Sequence, residues 1–126
     1  MSVTLTFPAD TANVALARTL AAAMSARADL PIDQLEDVRL AVDEAVSQVI
    51  LDAPADADVT CTFDVDVEGT DLGITISAPS ASRAVPAQDT FSWTVLRALV
   101  ESVTADVTDG VVTLRLQVRR HVPADA

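Results

Sequence analysis

Apolar and polar residues alternate from Ser2 to Phe7, with Val3, Leu5 and Phe7 on one side. That period of two predicts a first strand, which Pro8 ends. The period then changes. From Asp10 or Thr11, either able to cap a helix, to about Ala28, the residues Leu16, Leu20, Ala23 and Met24 form an apolar stripe at helical spacing. Asp29-Leu30-Pro31 breaks this first helix, because proline disfavours helical geometry in the residue before it. A second, strongly amphipathic helix follows from Leu35 to Asp52, and its Leu35, Val38, Val42, Ala45, Val46 and Val49 should face a core. Asp33 is the expected N-cap, with Glu36 completing a capping-box-like start.

After a loop at Ala53 to Asp58, alternation returns. Val59, Cys61, Phe63, Val65 and Val67 share one face; Thr60, Thr62, Asp64 and Asp66 share the other. This predicts an antiparallel strand with one face toward water. Glu68 to Asp71 reads as a turn, and Leu72, Ile74 and Ile76 as the buried face of the next strand. Ala78 to Thr90, with Pro79 and Pro86, is an expected loop, and a third helix is expected from about Thr90 to Val103. Thr104 to Val107 predicts a short strand, Asp109-Gly110 a hairpin turn, and Val111 to Arg120 a last strand with Val112, Leu114, Leu116 and Val118 inward. The order βααββαββ predicts an α+β fold: a two-layer α/β sandwich with a mostly antiparallel sheet. One domain over residues 1–120 and a C-terminal tail at 121–126 are expected.

Composition narrows the function classes. A chain of 126 residues can bury a sizeable core, and no apolar run approaches the roughly 20 residues that cross a bilayer. Met1 to Phe7 lacks the basic start of a signal peptide, so a cytoplasmic location is expected. The formal net charge of −11 argues against nucleic acid as a direct partner and favours a protein with a basic surface. Cys61, the only cysteine, can form no intramolecular disulfide and is expected to be buried; His121 is expected to be exposed and inert.

The second helix carries the candidate chemistry. Asp37, Ala41, Glu44 and Gln48 recur at spacings of four, three and four, forming a stripe beside the core stripe. A carboxylate and an amide one turn apart could orient water and a metal ion. The same spacing also describes an ordinary solvated helix face. The run Glu36-Asp37-Val38-Arg39-Leu40-Ala41-Val42-Asp43-Glu44-Ala45-Val46-Ser47-Gln48 resembles the N-box helix of the bacterial anti-sigma-factor serine kinases, the RsbW and SpoIIAB-like proteins of the histidine-kinase-like (GHKL, Bergerat) ATPase fold. The resemblance implies that Glu44 is the catalytic base and part of the Mg-ATP site. It also implies that Gln48, where the family has asparagine, binds nucleotide through magnesium. Arg18 matches the family's partner-facing arginine on the first helix.

The resemblance fails at other nucleotide motifs. The family's Asp-x-Gly after the third strand is replaced by Ser77-Ala78-Pro79-Ser80, and Asp71-Leu72-Gly73 stands before the strand, so it reads as a turn into it. The glycines that gather backbone N–H groups around phosphates are replaced by Asp89-Thr90-Phe91-Ser92-Trp93. Phe91 and Trp93 read equally as a remodelled lid or as ordinary packing at a helix start. Weak or absent Mg-ATP binding is therefore expected. The resemblance implies an anti-sigma factor that sequesters an alternative sigma factor and is countered by an anti-anti-sigma antagonist. An active serine/threonine kinase and a non-catalytic module that forms a homodimer through its sheet are the other readings.

Overall fold

The alternating segments become five strands, β1 (Ser2–Pro8), β2 (Asp58–Val65), β3 (Asp71–Pro79), β4 (Ser102–Thr108) and β5 (Val111–Arg119), in the order β1-β2-β3-β5-β4. All four pairings are antiparallel. Helices α1 (Val14–Arg27), α2 (Ile32–Leu51) and α3 (Phe91–Leu99) complete the order βααββαββ. The structure is a computed structural model, and it describes residues 1–66, 68 and 71–121. The expected positions of Val67, part of the turn before β3, and the tail beyond His121 lie outside the described residues.

Strand alternation sorts the two sheet faces. Val59, Cys61, Phe63, Leu72, Ile74, Ile76, Leu114, Leu116 and Val118 are buried beneath the helices. The opposite face carries threonine, serine and charged residues; Thr4 and Thr6 meet Thr62 and Thr60 across strands with oxygens 3.2 and 3.3 Å apart. The β4–β5 hairpin turns at Asp109 and Gly110, both at positive φ (52° and 77°). That is the geometry for which an Asp-Gly pair is suited.

Three helix expectations need correction. In α1 the buried face is Val14, Ala17, Ala21 and Met24, whereas Leu16 is half exposed and Ala23 exposed. Small alanines face α2, so the two helices approach closely; Leu16 is left outside, while Leu20 is partly buried against the core. Asp10 caps a single 3-10 turn before α1, and α1 ends in a Schellman arrangement: Asp29 adopts φ 60°, and the Leu30 N–H reaches the Ser25 carbonyl at 3.0 Å. The N-cap of α2 is Pro31, and Asp33 lies inside the first turn. Gln34, not Leu35, is buried there; it donates to the Arg119 carbonyl (2.6 Å) and accepts from the His121 N–H (3.0 Å). The third helix stops at Leu99, because Val100 is already extended and Ser102 pairs with Gln117 in the sheet. The fourth strand is correspondingly longer than Thr104 to Val107.

Candidate functional site

Helix α2 has two polar flanks, one meeting α1 and the other meeting α3. On the flank facing α1, Asp43 Oδ2 accepts from Arg18 Nη1 at 2.8 Å, with both side chains roughly two-fifths exposed or less. On the flank facing α3 stand Glu44 and Gln48, one turn apart as expected, with Asp52 at the C-cap one turn further. Ala41, expected in this stripe, is buried in the core instead.

Each of these three side chains meets a different environment. The Ser92 hydroxyl donates to Glu44 Oε1. Ser92 is placed there by its own helix start: Thr90 caps α3 by accepting from the Trp93 N–H (3.2 Å), and the buried Trp93 and Leu96 seat the helix. Gln48 Oε1 is buried and has no hydrogen-bond partner, a costly arrangement for an amide oxygen. Asp52 accepts from the Ser80 and Ser82 hydroxyls (2.6 Å each) and the Ser82 N–H (3.2 Å), while its carbonyl accepts from the Ala81 N–H at 2.7 Å. Ser80 in turn accepts from the Arg83 N–H, and its own N–H donates to the Gly110 carbonyl. The Ser80 hydrogen bond, then that of Ser82, holds the Asp52 carboxyl below the usual carboxylate range, against a smaller opposing effect of burial.

The segment after β3 is therefore laced onto the end of α2, and the start of α3 onto its middle. Mg-ATP fits this arrangement poorly. The Glu44 carboxylate is engaged by Ser92, and Gln48 Oε1 is enclosed where a magnesium ligand must reach the phosphates. Of the segment Ser77-Ala78-Pro79-Ser80, which stands where the resemblance would put Asp-x-Gly, Ser80 is bound to Asp52. Among the described residues two buried side-chain oxygens lack a hydrogen-bond partner, Ser25 Oγ and Gln48 Oε1, and of these Gln48 Oε1 stands beside Glu44. Surface cavities of about 460, 100 and 400 Å³ lie on the sheet face, beside Gln34 and Asp37, and beside Trp93 and Arg97; none is lined by Glu44, Gln48 or Asp52.

The structure thus brings Glu44 and Gln48 together and puts Arg18 on the other flank of α2. The Phe-Ser-Trp segment divides: Trp93 is core, and Phe91 is 83% exposed. Sequence reasoning missed Asp52, Ser80, Ser82 and Ser92. One signal was available, since Asp52 continues the four-residue spacing of Glu44 and Gln48. Cys61 is buried, with its thiol pushed up to about 12 by desolvation. Among the described residues, no helix is long and apolar enough to cross a membrane.

The histidine kinase-like ATPase domain matches residues 7–118. The anti-sigma-F factor RsbW of Mycobacterium tuberculosis is 36% identical over 126 residues, spanning 94% of this chain and 74% of that protein, in each of two strains. The solved RsbU and RsbW domains of another chain from Mycobacterium tuberculosis superpose with a TM-score of 0.73 at 16% identity, over 98% of this chain. This chain spans 34% of that solved chain, and the likeness speaks for the fold alone.

Proposed function

The chain belongs to the histidine kinase-like ATPase domain family and, within it, to the RsbW-type anti-sigma factors; from that premise we propose that it holds a sigma factor inactive by direct binding and yields it to an anti-anti-sigma antagonist. The kinship over 74% of an anti-sigma-F factor carries this reading. Arg18 is the proposed contact on the partner-facing surface. Its guanidinium is oriented by Asp43 and remains accessible, so a partner carboxylate can join the pair without new ordering of the arginine. The acidic chain suits a sigma factor, whose DNA-binding faces are basic. A cytoplasmic location follows from that role.

Within this reading the protein works by binding, without phosphoryl transfer. The Ser92–Glu44 contact supports it, because a carboxylate serving as base must face the target hydroxyl. One observation favours the kinase reading: Gln48 keeps an unpaired oxygen beside Glu44, where the family places its metal ligand. In that case Glu44 is the base and Gln48 the magnesium ligand, with magnesium supplying charge stabilisation at the phosphates. Homodimerisation through the polar sheet face is a separate proposal, and a monomer at micromolar concentration in light scattering would overturn it.

Two measurements test the function. Titration calorimetry against the sigma factors of the source organism should give one tight complex, weakened at least tenfold by Arg18→Glu. No complex with any of them would sink the anti-sigma reading. Thermal unfolding with several millimolar Mg-ATP should show no shift. A ligand at 100 times its dissociation constant would add about 2.7 kcal/mol, so a clear rise that Glu44→Ala abolishes would restore the kinase reading.

A further inference from the structure

The sheet ends in an open edge beside a helix. Strand β4 is an outer strand, paired only with β5. The two-residue turn at Asp109-Gly110 makes Thr108 and Val111 a hydrogen-bonded pair, and bonded and non-bonded pairs alternate from there along the ladder. The backbone groups of Thr104 and Asp106 therefore face β5, while the N–H and C=O groups of Val103, Ala105 and Val107 face the open edge. Natural edges are usually blunted by charge or proline. β4 has no proline, and its one charged side chain, Asp106, is turned to Arg115 of β5.

The cavity of about 400 Å³ adjoins this edge. Trp93 and Arg97 line it from α3, Glu101, Ser102 and Val103 from the start of β4, and Gln88 from the loop before α3. Val103 belongs to both edge and cavity, so the two form one surface. With Ala105 and Val107 it makes a row of partly buried apolar side chains packed against the core. An added strand would pair with the free backbone groups and lengthen that row. Strand β1, the other outer strand, lines none of the three cavities.

The cavity also selects a side chain. Arg97 and Glu101 both line it, and neither has an ion-pair partner among the described residues. An entering carboxylate would face Glu101, and an entering ammonium would face Arg97. A carboxamide suits both, because its oxygen accepts from the guanidinium and its NH2 donates to the carboxylate. A second copy of the chain fits less well. Symmetric pairing of β4 along its full length centres on Ala105 and sets Glu101 of one copy beside Asp109 of the other, a like-charge contact between chains of charge −11.

We propose that the open edge of β4 takes up an extended segment of a partner protein as an added strand, with an asparagine or glutamine side chain seated between Arg97 and Glu101. The proposal goes beyond the anti-sigma reading and does not rest on it.

The probe is a synthetic peptide of about nine residues that alternates valine and threonine, with glutamine at one valine position. One control keeps valine there; another carries proline at its centre, which cannot stay in a ladder. Hydrogen exchange on the full chain should show the amides of Val103, Ala105 and Val107 exchanging faster than those of Thr104 and Asp106. The glutamine peptide should slow those three amides about tenfold, and the proline control should not. Ala105→Pro removes an N–H that β5 does not use, so it should weaken peptide binding about tenfold. Arg97→Ala, on the exposed side of α3, should abolish an advantage of about threefold for glutamine over valine. It keeps the test decisive if Ala105→Pro disturbs folding. Equal binding of the glutamine peptide and the proline control overturns the proposal, as does slowing that spares the three amides. A glutamine preference that is missing, or that Arg97→Ala leaves intact, also overturns it. So does protection of those amides that rises with protein concentration alone, since a second copy would then fill the edge.

Discussion

Replacing Asp52 by alanine removes the group that ties the segment after β3 to the end of α2. Three hydrogen bonds to a carboxylate are lost: two from hydroxyls at 2.6 Å and one from the Ser82 N–H at 3.2 Å. Ser80 is buried, so its hydroxyl loses its acceptor in a place where water has little access. A hydrogen bond to a charged group contributes about 1.5–3 kcal/mol, but Ser82 is exposed, so the three are far from additive. The expected cost is about 1–3 kcal/mol in urea unfolding at pH 7. The pH dependence follows from the lowered Asp52 pKa. A carboxylate held below its unfolded value of about 3.9 contributes its stability above that value and loses it as pH falls through the folded value. The gap between wild type and Asp52→Ala should therefore be full at pH 7 and shrink below about pH 4. The local effect is read separately by trypsin, since Arg83 is exposed on the tied segment. If about 1.4 kcal/mol is lost from local opening, cleavage after Arg83 should quicken about tenfold. Equal stability at pH 7, or a gap that persists unchanged to pH 3, would refute the role given to Asp52.

Trp93→Ala should cost about 3–5 kcal/mol in thermal or urea unfolding, whereas Phe91→Ala should stay within about 0.5 kcal/mol, because one ring is core and the other is in water. Gln34→Ala should lose about 1–3 kcal/mol, since it leaves the Arg119 carbonyl and the His121 N–H without their partner; chemical denaturation measures it. Cys61 should resist a thiol reagent at pH 8 in the folded protein and react fully in denaturant, and rapid labelling of the native chain would contradict its burial.

The strands were legible because each writes its burial locally, in alternate residues. Val59, Cys61 and Phe63 are inward for the same reason that Thr60 and Thr62 are outward. The helices were legible in number and less so in facing. In α1 Leu20 and Met24 pack against the core as expected, but Leu16 and Ala23 are exposed and Ala17 and Ala21 take the buried face, because close packing against α2 rewards small side chains, and periodicity alone weighs only hydrophobicity. The end of α3 was misread because Val100 and Val103 satisfy a helical pattern as well as a strand; pairing of Ser102 with Gln117 decides between them. Glu44 and Gln48 could be found because they lie on one element. Their partners could not, since Ser92 is 48 positions from Glu44 and Ser80 is 28 from Asp52.

Those distant partners change the meaning of the helix. In isolation, Glu44 and Gln48 at one-turn spacing are suited to a base and a metal ligand. In the fold, the carboxylate is spent on Ser92 and the end of the helix on Ser80 and Ser82. Hydrogen bonds from Ser92, Ser80 and Ser82 hold α3 and the segment after β3 against α2 without a ligand. The exposed Phe91 then follows from the same design, because the capping of α3 that turns Ser92 inward and buries Trp93 also leaves the first residue of the helix facing outward. On the proposed reading as a binding protein, α3 and the segment after β3 are held against α2 by Ser92, Ser80 and Ser82 before any partner arrives.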